Sequence, residues 1–175
     1  MTSSVKAVHS LATGQTTLHT PLGPLLLART AQGLAGAWFE GQKDHPGVLS
    51  APQDSDDPVL LKAASQLTEY FNGQRQEFDL PLDLHGTDFQ CNVWRALLKI
   101  SLGKTQSYRD IAHAVNSPQG VRAVGSAVGK NPLSVIVPCH RVMGSDGSLT
   151  GYAGGLGRKR ALLKLEGVAV QEALL

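Results

Sequence analysis

The chain has 175 residues, 42% of them hydrophobic and 17% charged, which excludes a disordered chain and leaves room for one large or two small domains. No apolar run reaches membrane-spanning length and residues 1–10 lack a signal-peptide layout, so a soluble cytoplasmic protein with no membrane partner is expected; with Cys91 and Cys139 as its two cysteines, a disulfide framework and a zinc site built on cysteine pairs are excluded. The net charge of +2 is unevenly divided, with 5 Lys/Arg and 9 Asp/Glu in residues 1–87 against 11 and 5 in residues 88–175, so either the second half meets a polyanion or surface charge is scattered at random.

In chain order, residues 16–19 and 25–29 read as strands around a Pro21-Leu22-Gly23-Pro24 turn, and 34–39 as a third strand after Gln32-Gly33. An antiparallel meander is expected. Residues 41–57 are rich in Pro, Asp and Ser and read as a loop. Asp57 can cap a helix whose first position suits Pro58, whose apolar stripe is Leu60, Leu61, Ala64, Leu67 and Phe71, and which Gly73 stops. An extended piece over 78–84 leads to His85-Gly86, the expected boundary between domains 1–86 and 87–175.

Beyond it, Asp88 is expected to cap a helix carrying Phe89, Val93, Trp94, Leu97 and Leu98 on one face, with Cys91 off that face. Ser107 opens a short helix, with Asp110 as a variant capping box. Ser117-Pro118 is expected to cap the next, which stops at Gly129. Two short helices around Asn116-Ser117 suggest a helix-turn-helix, a shape that ordinary packed helices share. On the second of them, Val121, Val124 and Val128 form one face, fit for a core. Arg122, Gly125, Ser126 and Gly129 form the other. Glycine inside a helix is worse than alanine by ~1 kcal/mol, so that face calls for close approach of another surface. A nucleic-acid groove and a neighbouring helix both fit.

The apolar run over 131–137 reads as a short buried strand delivering Pro138-Cys139-His140-Arg141-Val142. A cysteine beside a histidine at the end of such a segment is a candidate nucleophile, and its cationic neighbours are expected to favour thiolate over thiol. After a turn at Gly144-Ser145-Asp146-Gly147, the Thr150-Gly151-Tyr152-Ala153-Gly154-Gly155 loop can press backbone amides against a flat ligand. A last helix, from about Leu156, carries Leu162, Leu163 and Leu165 and ends at Glu166, which either orients His140 or sits in solvent.

The runs Asn131-Pro132, Pro138-Cys139-His140-Arg141-Val142, Gly151-Tyr152, Gly154-Gly155 and Leu162-Leu163-x-x-Glu166-Gly167 resemble the O6-alkylguanine-DNA alkyltransferase family, as do Tyr108 and Arg122-Ala123-Val124-Gly125. The resemblance covers residues 87–175. Residues 1–86 resemble the family's N-terminal domain in layout and in Thr20-Pro21-Leu22-Gly23. It implies an α+β fold: an N-terminal ribonuclease-H-like antiparallel sheet with a helix, then a mostly helical domain with a helix-turn-helix and the active-site cysteine. It implies single-turnover transfer of an alkyl group from O6-alkylguanine, and from O4-alkylthymine, to Cys139. His140 would take the thiol proton through a water, Glu166 would hold His140, and Asn131 would brace the turn. Tyr108 would help rotate the base out and then protonate it, and Arg122 would fill the gap in the stack. Val142, Tyr152 and Ala153 would shape the base pocket, and Gln90, Arg109, Ser117 and Ser145 would touch the DNA strand. The partner would be double-stranded DNA carrying alkylated bases, bound through its minor groove by a monomer without cofactor. Some members of the family bind a structural zinc in the N-terminal domain; with no cysteine before Cys91, and only His9, His19, His45 and His85 as histidine candidates there, no metal is expected here. Ala153 stands where the family often has serine or glycine, so it keeps a backbone N–H and offers no hydroxyl. The resemblance also leaves a lesion-binding relative without productive transfer, which the presence of Cys139 disfavours. A turning-over Cys–His hydrolase and a transcription regulator are the other readings of the residues.

Overall fold

The apolar runs of residues 14–39 fold as a meander. In the computed structural model, which describes residues 1–170, β1 (Gly14–Thr20), β2 (Gly23–Arg29) and β3 (Leu34–Phe39) form an antiparallel sheet in that order. The first hairpin pairs Thr20 with Gly23, whose φ of 111° needs a residue without Cβ. All six residues of β3 are buried, because both faces of the sheet are covered. On one side lies α2 (Pro58–Phe71), capped by the Asp57 carboxylate, which accepts from the Val59 and Leu60 amides. On the other lies α1 (Ser3–Leu11), capped by the Thr2 hydroxyl; its Val5 and Val8 pack with Trp38 and Leu49. This helix is not anticipated above. Its signals are Thr2 followed by valines three residues apart.

The free edge of β3 is covered by irregular chain. Residues 81–83 bond to Leu34, and the Ala37 amide donates to the Pro132 carbonyl (2.8 Å) while the Ser134 amide donates to Ala37 (3.0 Å). An edge strand left open would be a pairing hazard. Here the cover is the segment that leads to Cys139.

The second half is mostly helical: α3 (Asp88–Leu97), β4 (Gln106–Ser107), α4 (Tyr108–Ala114), α5 (Val121–Gly129), β5 (Val142–Met143) and α6 (Leu156–Leu165). Several expectations are corrected. The cap of α3 is Thr87 rather than Asp88, in a reciprocal capping box with Gln90. Leu98 is that helix's C-cap and is exposed. Cys91 is buried on the core side of α3. The Ser107–Asp110 capping box of α4 is present as expected. The N-cap of α5 is Gly120, because residues 117–120 form a turn first. Val121 is exposed as a result, and Ala127 takes its place beside Val124 and Val128.

The largest correction concerns residues 131–137, which form a buried turn and not a strand. Only Leu133 bridges to a strand, and Val135 has a φ of 74°. A β-branched residue there is strained, by ~1–3 kcal/mol for such conformations, and persists only where its surroundings over-determine it. One continuous core runs through both halves, from Leu25, Phe39 and Leu67 to Trp94, Val124 and Val137.

Candidate active site

The turn over 131–137 is held by one side chain. Asn131 Nδ2 donates to the Val137 carbonyl at 2.8 Å, and its Oδ1 accepts from the Leu133 amide at 2.9 Å. The same Nδ2 lies 3.1 Å from Cys139 Sγ, so Asn131 both closes the turn and offers the sulfur an N–H. Cys139 begins a single tight helical turn (Cys139–Arg141), every residue of which is buried. Burial pushes the Cys139 thiol up. The Asn131 hydrogen bond and the Lys159 charge oppose this without overcoming it. The expected thiolate is thereby corrected: the resting group is a thiol, and its proton must leave during chemistry.

His140 and Glu166 are both fully buried side chains, with His140 Nε2 2.7 Å from Glu166 Oε2. Burial lowers the His140 pKa, so the ring is neutral. A neutral imidazole whose Nε2 donates to a carboxylate has an acceptor at Nδ1. That atom is buried with no hydrogen-bond partner among the described residues. Glu166 is saturated. Arg141 donates from Nε to Oε1 (2.8 Å) and from a terminal nitrogen to Oε2 (3.0 Å), and the Tyr70 hydroxyl donates to Oε2 (2.5 Å). These donors hold its carboxyl at about 2 despite burial. Arg141 therefore serves the carboxylate and not the thiol.

Sequence reasoning missed the cation that does act on Cys139. Lys159 of α6 is fully buried with no carboxylate partner among the described residues, and its Nζ donates to the carbonyls of Val142 (2.6 Å), Thr150 (2.6 Å) and Gly151 (3.3 Å). It ties the loop over 150–155 to the strand after Cys139, and burial brings its pKa down to about 8. Arg158 was missed too. It reaches the carbonyls of Leu22, Glu40 and Gly154 and stacks on Phe39, 4.7 Å from the ring centre, joining that loop to the first hairpin. Its place next to Lys159 just after two glycines was the available signal.

A cavity of about 320 Å³ opens beside the cysteine. Its walls include Cys139, Tyr108, Gly125, Tyr152 and Ala153, and Lys43 of the first half reaches the same rim. The Lys43 amide donates to the Ala153 carbonyl at 3.0 Å. Burial raises the pKa of both tyrosines, so each phenol stays protonated. Val142 does not line this cavity. It is buried behind it, with its carbonyl accepting from Lys159. Arg122 and Ser126 are exposed on α5. A Cβ on Gly125 would meet nothing nearer than the Tyr108 ring at 3.9 Å, and one on Gly129 would meet nothing within 4 Å. Packing among the described residues therefore does not account for the small residues on that face. Arg109 and Ser145 are exposed and Ser117 is half-buried, all outside the cavity, and the Gln90 side chain is engaged by the Thr87 amide.

Comparison with known proteins settles the lineage. Residues 88–168 match the family model described as 6-O-methylguanine DNA methyltransferase, DNA binding domain, and residues 15–84 match the ribonuclease-like domain of the same family. The chain belongs to the 6-O-methylguanine DNA methyltransferase family. It is 49% identical over 151 residues to a methylated-DNA–protein-cysteine methyltransferase of Mycobacterium tuberculosis, covering 86% of this chain and 90% of the relative. To the constitutive methylated-DNA–protein-cysteine methyltransferase of Bacillus subtilis it is 43% identical over 160 residues, covering 90% and 97%. The M. tuberculosis OGT solved in complex with DNA aligns with a TM-score of 0.79 at 47% identity, over 87% of this chain and 92% of that one. This methyltransferase fold is the two-domain α+β arrangement expected above, and its ribonuclease-like half is the meander with α2.

Proposed function

We propose that the chain repairs DNA by direct reversal, as a methylated-DNA–protein-cysteine methyltransferase that moves a methyl group from O6-methylguanine, and from O4-alkylthymine, to Cys139. The observation that carries this is the buried Asn131–Cys139 and His140–Glu166 arrangement opening on a cavity beside Tyr108. Residues 1–86 act as a scaffold domain and 87–175 as the DNA-binding and transfer domain, the last five residues lying outside those described. The partner is double-stranded DNA, met in the minor groove by α5 of a monomer. The open glycine face supports close approach there, and Arg122 fills the stack once the base has turned out. Arg109, Ser117 and Ser145 contact the strand in this reading, which their full or partial exposure allows, and Gln90 would leave its cap to do so. Flipping costs ~a few kcal/mol, which phosphate and arginine contacts offset. No helix among the described residues is long and apolar enough to cross a membrane, and the proposed action on DNA goes with a cytoplasmic location.

The chemistry follows from the protonation states. His140 Nδ1, the unpartnered acceptor, takes the Cys139 proton through a water while Glu166 holds the ring. Sγ attacks the methyl carbon, the carbon–oxygen bond breaks, and its electrons pass to O6. The Tyr108 phenol supplies a proton to the purine, so that neutral guanine leaves. Tyr152 and Ala153 flank the base, and Ala153 has only its backbone N–H to offer. The product is a thioether, which water does not cleave, so the protein acts once.

The test is a titration with excess duplex carrying O6-methylguanine. Repaired base should rise to one per protein and stop. Continued turnover would sink the reading in favour of a hydrolase, and binding without repair would favour a lesion-binding protein.

A further inference from the structure

The Glu166 carboxylate has a donor that the reaction scheme above does not use, and it comes from the other half of the molecule. Tyr70 sits on α2, packed under the sheet, and is 2% exposed. Its hydroxyl donates to Glu166 Oε2, the same oxygen that His140 Nε2 approaches. The ring is held by Phe71 and Phe78, with centroids 5.2 and 5.5 Å away. It therefore has little freedom to leave the carboxylate. A phenol fixed in a dry site beside a histidine–carboxylate pair is more than filler. Phenylalanine would fill the same space, and a buried hydroxyl is unfavourable unless it is bonded.

We propose that Tyr70 is a positioning residue of the transfer reaction: the ribonuclease-like half of the chain sets the orientation and basicity of His140 through the Tyr70 hydroxyl on Glu166. This rests on the reading of His140 as proton acceptor. The donors divide the carboxylate between them. Arg141 occupies Oε1 and shares Oε2, and Tyr70 and His140 hold the rest of Oε2. Each donor withdraws negative charge from the oxygen that faces the imidazole. With the phenol present, His140 feels a weaker anion and stays neutral at the pH of the cell. With it gone, Oε2 carries more charge, His140 holds a proton more tightly, and the ring has one constraint fewer. The acid limb of the reaction would then move to higher pH, since only neutral His140 accepts the thiol proton. The charges that act on His140 are Glu166, Arg141 and Lys159, all from the second half, and Tyr70 of the first half reaches it through Glu166. The tie gives the N-terminal half a chemical part in the site, in addition to the backbone bonds by which β3 holds residues 132–134.

The experiment uses the full chain with Tyr70→Phe, and Leu67→Ala as a control that loses a fully buried side chain of the same helix without touching Glu166. Single-turnover methyl transfer is followed from pH 5 to 9, and the His140 ring is titrated by NMR without DNA. Y70F should slow transfer about tenfold at neutral pH, consistent with one hydrogen bond to a charged group, and should raise both the kinetic midpoint and the ring's titration midpoint. L67A should lower thermal stability and leave both midpoints in place. Unchanged midpoints in Y70F, or an equal shift in L67A, would overturn the proposal. A shifted ring midpoint in Y70F with no transfer by the wild type would uphold the Tyr70 tie and sink the transfer reading.

Discussion

The chain holds two buried cysteines, and their surroundings are opposites. Cys91, on α3, is 8% exposed and its thiol points to the carbonyls of Leu84 (3.9 Å) and Gly86 (3.8 Å). Cys139 is 4% exposed and its sulfur receives an N–H from Asn131, with the Lys159 charge nearby. Burial raises both thiols. The carbonyl acceptors and the Asp88 charge around Cys91 reward keeping the proton, against the Arg95 charge, whereas the Asn131 donor and the Lys159 charge around Cys139 both reward giving it up. Burial alone thus does not tell an inert thiol from a nucleophile; the polarity of what it is buried among does.

Substitutions can break this contrast at graded strength. Cys139→Ser should drop methyl transfer to background while leaving DNA binding, because a hydroxyl at this position stays protonated; binding measured by fluorescence anisotropy separates the two. Asn131→Ala should slow transfer about a hundredfold, the scale of losing one fixed donor at a reacting centre. It should also lower stability by about 2–4 kcal/mol, since the Val137 carbonyl and Leu133 amide lose a buried partner. Chemical denaturation of the variant gives that figure. Lys159→Met should slow transfer about tenfold by removing a buried cation that favours the Cys139 thiolate over the thiol. The loss should persist in high salt, because the group is buried. Arg122→Ala should slow repair of duplex DNA several-fold and leave reaction with free O6-methylguanine base unchanged, since it touches delivery and not the sulfur. Equal loss on both substrates would contradict that division. The smallest effect belongs to Cys91→Ala: transfer unchanged and stability lower by about 1 kcal/mol, read from the melting transition.

Much of this was legible because it is local. Short runs bounded by the turn residues at 21–24 and 32–33 marked the three strands, Asp57-Pro58 marked the start of α2, and Ser107 with Asp110 marked α4. The motif around Cys139 pointed to Cys139 and His140, and the resemblance added Glu166, which the fold brings to 2.7 Å from His140. What could not be read depends on distant partners. Residues 131–137 look like a strand because they are apolar, but their backbone is satisfied by the Asn131 side chain and the edge of β3, neither of which a local pattern reveals. Lys159 reads as one of several helix cations in Arg158-Lys159-Arg160, and only folding shows which of the three is buried. Tyr70 lies 96 positions from Glu166, and on α2 it reads as a core aromatic. Val121 was misplaced by the start of its helix: once the turn at 117–120 is formed, the apolar face rotates onto Ala127.

The most direct measurement is a peptide map of the protein after one reaction with O6-methylguanine duplex. Cys91 and Cys139 lie on separate peptides, so each reports alone. The account predicts one added methyl, on the Cys139 peptide, with the Cys91 peptide unmodified. Methyl on Cys91, or on neither cysteine while the base is repaired, would contradict it.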